Sequence, residues 1–101
     1  MAKSLGIFVS SDQHLDKLIK LCHAADKKGI EVHIFITHLG ILLTQDPRFS
    51  ELEGLAMISL CNVSFASHGL KPPIKGIGQK DYATQLRNAM LIDECDRYLV
   101  L

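Results

Sequence analysis

Five short aliphatic runs, each set off by turn-forming or helix-patterned residues, constrain the fold of this chain more than any other feature. They are Leu5–Val9, Ile30–Thr37, Ala56–Leu60, Ile74–Ile77 and Arg97–Leu101. Runs this short, rich in Ile, Val and Leu, read as buried strands. Between the first two, Leu15, Leu18, Ile19, Cys22 and Ala25 recur at three- and four-residue steps, which predicts a helix with one apolar face. Ser10-Ser11-Asp12 offers it hydroxyl and carboxylate caps, and Lys27-Lys28-Gly29 marks its end with cations at the negative pole and a residue free to turn.

Further on, Pro47 fits the first turn of a short helix started by Asp46 and running from Phe49 to Leu55. A helix from Cys61 to His68 is closed by Gly69. Another, from about Asp81 to Glu94, carries Tyr82, Leu86, Ala89, Met90 and Asp93 on one face. Lys71-Pro72-Pro73 connects rigidly into the strand expected at Ile74–Ile77. Strands alternating with helices imply parallel pairing through right-handed crossovers. The expected fold is a three-layer α/β/α sandwich around a five-stranded parallel sheet, formed by residues 1–101 as a single domain.

Apolar residues make up 48% of the chain and aromatic ones only 6%, so the core must be aliphatic, as a parallel sheet prefers. Eleven basic and eleven acidic residues balance to zero net charge, and no basic stripe is present, so direct nucleic-acid binding is not indicated. Lack of net charge together with the high aliphatic content favours a homo- or hetero-oligomer. No stretch approaches the ~20 apolar residues that span a bilayer, and Met1-Ala2-Lys3-Ser4 runs straight into a strand. Neither secretion nor membrane insertion is expected. Cys22, Cys61 and Cys95 lack CxxC spacing, which disfavours a disulfide framework or a zinc site and fits reduced thiols in a cytoplasm.

In open parallel sheets, ligands meet the carboxyl ends of the strands. Those ends bring forward Ser10-Ser11-Asp12, Thr37-His38, Cys61 and Gly76-Ile77-Gly78. Cys61 is the one strong nucleophile among them. It follows an apolar run and opens a helix, where unpaired N–H groups favour the thiolate of a residue that ordinarily titrates near ~8.5. Its alternative role is that of a small core hydrophobe. His38 is placed to donate to a sulfur anion or relay a proton, or is a loop histidine without a role. Asp12 reads more readily as a helix cap than as a catalytic acid.

Gly76 and Gly78 lie on the same edge but form neither GxGxxG nor GxxxxGK[ST], so phosphate binding of those kinds is disfavoured. Cys22 and Cys95 read as structural. His68 sits about two turns, roughly 10 Å, beyond Cys61 and is too distant to act as its base. Ile41-Leu42-Leu43 is an aliphatic triplet in a connection, which calls for subunit contact or packing beneath the segment that follows.

A cysteine closing a strand, a short helix of small residues, and a glycine eight positions on (Cys61, Ser64, Ala66, Gly69) are followed by Gly76-Ile77-Gly78 and the ending Asp96-Arg97-Tyr98-Leu99-Val100-Leu101. This ensemble resembles the DsrE/DsrF/DrsH-like superfamily, which includes TusD- and YchN-like sulfur-relay proteins and is flavodoxin-like in general architecture. Ser67-His68 stands where TusD-like proteins usually carry paired arginines, and the second cysteine common in YchN-like members is missing. The resemblance implies a cytoplasmic sulfur-relay protein that carries sulfane sulfur as a persulfide on Cys61. Sulfur donor and acceptor proteins, trimeric or hexameric assembly, and no cofactor or metal complete that expectation. The alternatives are a non-enzymatic oligomeric scaffold or regulatory subunit, and a small-ligand-binding module of the same fold.

Overall fold

The structure is a computed structural model and describes residues 3–101. Strand β1 (Ser4–Val9) leads into helix α1 (Leu15–Lys27), then strand β2 (Glu31–Ile36). Two 3-10 segments, His38–Gln45 and Pro47–Leu52, precede strand β3 (Met57–Cys61) and helix α2 (Asn62–Ser67). A 3-10 turn at Gln79–Asp81 opens onto strand β4 (Tyr82–Ala83), helix α3 (Gln85–Glu94) and strand β5 (Arg97–Val100). The five strands form one parallel sheet in the order β4-β3-β2-β1-β5. The chain steps from β1 to β4 in one direction, then α3 carries it back to the far edge.

The pairing register sorts the side chains into rows. Leu99, Ile7, Ile34 and Ile58 align across one face, and Val9, Ile36, Leu60 and Tyr82 form the next row on the same face. The apolar stripe of α1, from Leu15 to Ala25, packs there with Ile41, Phe49, Leu52 and Phe65. Burial of this mostly aliphatic interior is the main stabilising term, at about 1.5–3 kcal/mol per large side chain. On the opposite face Val100, Phe8, Phe35 and Ser59 align, and Leu91 of α3 packs there on Phe35 and Cys61. Gly6 makes room on that face, because a Cβ there would stand 3.1 Å from the Tyr98 ring and 3.2 Å from the Cys95 sulfur.

Several boundaries differ from the sequence expectation. The fourth strand is Tyr82–Ala83 and not Ile74–Ile77. Ile77 N–H turns back to the Ile74 carbonyl at 3.1 Å, and Gly76 at φ +90° takes that segment out of extended conformation. Helix α3 accordingly starts at Gln85, where the Thr84 hydroxyl accepts from Leu86 N–H at 3.3 Å. Its inward residue is Leu91, while Leu86 and Met90, expected inside, are exposed.

Helix α1 starts at Leu15 with His14 at its N-cap and no side-chain cap, so Asp12 does not cap it. The Ser11 hydroxyl instead accepts from Gln13 N–H at 3.2 Å. The segment after Asp46 does begin at Pro47, with the Asp46 carboxylate accepting from Arg48 N–H at 2.8 Å, but it is a 3-10 helix that ends at Leu52. Ile41 and Leu43 are buried in the main core, which leaves only Leu42 of that triplet exposed.

Candidate functional site

The carboxyl edge of the sheet brings together three pieces of chain around Cys61. Cys61 ends β3 and is the N-cap of α2, with extended backbone at φ −74°, ψ 114°. Its pairing partner is Ala83, so the residues after β4, Thr84 and Gln85, emerge directly beside it. On the other side Thr37 follows β2 and is fully buried. The first turn of α2 contributes Ser64.

These groups form a hydrogen-bonded chain. The Gln85 amide donates from Nε2 to Thr37 Oγ1 at 3.1 Å, and Thr37 Oγ1 lies 3.1 Å from Ser64 Oγ. Because the amide already supplies a proton to Thr37, the Thr37 hydroxyl proton can turn toward Ser64 or the sulfur.

Cys61 is covered but shallow, with 4% of its surface exposed, and it packs with Phe35 and Leu91 under α3. As a thiol it makes no capping hydrogen bond, in keeping with the weak acceptor strength of S–H. Burial is the largest single influence on its titration and pushes the thiol up. The Ser64 hydroxyl and N–H, the Thr37 hydroxyl and the Gln85 amide act the other way and together outweigh it, leaving the thiol below its ordinary value. The leading stabilisers of the thiolate are thus neutral dipoles.

The other cysteines contrast with it. Cys22 is fully buried on α1, and desolvation pushes its thiol up to about 11. Burial also raises Cys95, where the Ser4 hydroxyl opposes the shift and the carboxylates of Glu94, Asp96 and Glu31 add to it.

Not every residue singled out in the sequence meets the sulfur. His38 adopts φ +52°, and its carbonyl accepts from His68 Nε2 at 2.9 Å, which ties the β2 end to the α2 end. The groups that lower the Cys61 thiol are Ser64, Thr37 and Gln85. Asp12 is an exposed residue of the β1–α1 connection. Gly78 precedes the 3-10 turn Gln79–Asp81 as its N-cap and does not end a strand. A Cβ added at Gly78 would meet nothing nearer than Asp81 Oδ2 at 3.6 Å, so close approach does not demand glycine there.

Sequence reasoning gave Thr37 and Ser64 no role at the sulfur and missed Gln85 altogether. Gln85 sits one position after a Thr cap, and that signal becomes readable only once the fourth strand is placed at Tyr82–Ala83.

A cleft of about 540 Å³ adjoins this edge, lined by Asn62, Pro72, Pro73, Ile77, Gln79 and Tyr82. Tyr82 helps shape it, accepting from Ile74 N–H at 3.0 Å and meeting Phe65 edge-on at 5.2 Å. Among the described residues, no group of three or more His, Cys, Asp or Glu is placed to hold a metal ion, and no helix is long and apolar enough to cross a membrane. Neither a scan against protein-family models nor searches of curated proteins and of solved structures found a match.

Proposed function

We propose that this protein is a sulfur carrier of the DsrE-like kind, which holds sulfane sulfur on Cys61 as a persulfide and hands it to a partner thiol. The observation that carries the reading is the thiolate-favouring cradle of Ser64, Thr37 and Gln85 around Cys61 at the carboxyl edge of a parallel sheet. In the first step the Cys61 thiolate attacks the outer sulfur of a donor persulfide. A new S–S bond forms on Cys61 as the donor's S–S bond breaks, and the donor leaves as a thiolate with the electron pair. In the second step an acceptor thiolate attacks that outer sulfur and Cys61 is regenerated. Sulfur moves with no net oxidation or reduction, so the exchange needs no cofactor.

The same donors that hold the thiolate serve the persulfide anion, and no dedicated base is required. A carrier of this type works with donor and acceptor proteins in a cytoplasm and within a trimer or hexamer. Intact-mass spectrometry after treatment with a sulfane-sulfur donor tests the reading. One added sulfur atom is expected, lost in Cys61→Ser and kept in Cys22→Ser and Cys95→Ser. Persistence of the adduct in Cys61→Ser overturns the assignment.

A second reading has its own observation, since Cys61 is 4% exposed and packs on Phe35 and Leu91 as a core residue would. On that reading the fold is a non-enzymatic scaffold or regulatory subunit. Alkylation of the native protein separates the two: modification of Cys61 while Cys22 stays protected favours the carrier, and inertness of both favours the scaffold.

A further inference from the structure

Strand β5 is an edge of the sheet, and its hydrogen bonds to β1 reveal which of its backbone groups face outward. Leu101 N–H donates to the Phe8 carbonyl at 2.8 Å, and Ser10 N–H donates to the Leu101 carbonyl at 3.1 Å. In a parallel ladder, residues with the same parity as Leu101 bond to β1, so Leu99 does too, while the N–H and C=O groups of Tyr98 and Val100 point away from the sheet. Proteins usually blunt such an edge with proline, a bulge or a charge at its centre. This edge is only four residues long and begins with Arg97, but its centre, Tyr98-Leu99-Val100, carries no proline, bulge or charge. Leu99 is 40% exposed on the α1 face and Val100 65% exposed on the α3 face. Ile92, one turn beyond the Asn88 that bonds Tyr98, is exposed on the neighbouring flank of α3.

We infer that this edge is an interface with a second copy of the chain, formed by antiparallel pairing of β5 with β5 about a two-fold axis through Leu99. The register follows from the outward groups. Centring on Leu99 sets Tyr98 opposite the partner's Val100, so both residues of each pair exchange N–H···O bonds, giving four in all. Leu99 meets the partner's Leu99 as the close, non-hydrogen-bonded pair, and Arg97 falls opposite the partner's Leu101. No like charges face each other, and the exposed apolar side chains meet their own kind on both faces.

Centring on Tyr98 instead would need Asp96 N–H to point outward. That group is already turned inward, donating to the Ser4 carbonyl at 3.1 Å and to the Ser4 hydroxyl at 3.1 Å. A two-fold contact is isologous and closes on itself, so it caps the edge and does not seed a filament. It produces a dimer, or it joins two trimers into a hexamer. The inference does not depend on the chemistry of Cys61.

Light scattering after gel filtration of the full chain tests it. The wild type is expected to run as an even-numbered assembly, at least twice the chain mass of 11.2 kDa. Leu99→Lys and Leu99→Glu, each placing like charges on the axis, should halve the assembly mass with an unchanged far-UV CD spectrum. Mixing the two variants should restore the mass as a heterodimeric contact. A wild-type monomer or trimer at high concentration, or a mass that either variant leaves intact, overturns the interface. Loss of mass in both variants without recovery on mixing overturns the Leu99 register. If the substitutions unfold the chain, Leu99→Cys takes their place: the close antiparallel pair is within disulfide reach, and absence of an oxidised inter-chain cross-link overturns the register.

Discussion

Replacing Gly40 by alanine should destabilise the protein, and the structure supplies both the sign and the size. Gly40 lies in the 3-10 segment after β2, and its N–H is shared between the Thr37 carbonyl at 3.0 Å and the Ser10 carbonyl at 3.2 Å. A Cβ at this position would fall 2.6 Å from the Val9 carbonyl oxygen and 3.1 Å from Val9 Cγ1. An ordinary carbon–oxygen contact is about 3.3 Å, so something must give by about 0.7 Å. The Val9 oxygen cannot yield freely, because it accepts from Thr37 N–H at 2.9 Å and holds the ends of β1 and β2 together.

Overpacking of this kind costs about 1–3 kcal/mol, whereas the stiffer unfolded chain returns only about 0.4–1 kcal/mol. The net expectation is a loss of about 1–1.5 kcal/mol, equivalent to a fall in Tm of roughly 4–12 °C for a domain of this size. Urea titration followed by far-UV CD, paired with a thermal melt, measures it. Gly78→Ala is the internal control. The nearest atom to its Cβ is at 3.6 Å and its φ is −75°, so it should be neutral or gain about 0.4–1 kcal/mol. A Gly40→Ala protein as stable as the wild type would refute the claim that the β1–β2 crossing is sterically locked.

Two further outcomes follow from the cysteines, beside the persulfide and interface tests above. Ser64→Ala and Thr37→Val each remove a donor that holds the Cys61 thiolate, so both should raise its titration midpoint and slow native alkylation at neutral pH. A pH profile of the iodoacetamide rate reads this, and unchanged profiles in both variants would contradict the cradle. Cys22 should make the fold alkali-sensitive. Its folded-state pKa is raised to about 11 from 9.0, so its stabilising contribution is full below pH 9 and is lost as pH rises toward 11. That window is worth about 2–3 kcal/mol at ~1.4 kcal/mol per unit. Denaturation at pH 8 and pH 11 should show a smaller difference in Cys22→Ala than in the wild type, even though the cavity lowers the variant's stability at both.

Periodicity carried most of the fold. The spacing of Leu15, Leu18, Ile19, Cys22 and Ala25 located α1, and the alternation of Val32, Ile34 and Ile36 located β2, because burial on one face leaves a repeat in the sequence. Gly29 and Gly69 marked helix ends for a local reason: both hold positive φ, at +70° and +72°. The reading failed between residues 72 and 90. Ile74–Ile77 had strand composition but turned, and the two-residue strand Tyr82–Ala83 is too short to show any period. Leu86 and Met90 looked like an inward helix face because the register of α3 was read from the wrong start.

The residues alone determined a parallel α/β sheet and placed a cysteine, Cys61, at a strand-to-helix junction, since both depend on near neighbours in the chain. Only the tertiary structure decided what surrounds the sulfur. Thr37, Ser64 and Gln85 are separated by up to 48 positions and meet because β2, β3 and β4 lie side by side with their carboxyl ends aligned. The open β5 edge is likewise a product of strand order. Hydrogen-bond parity and solvent exposure belong to the sheet as a whole, and no window of sequence encodes them.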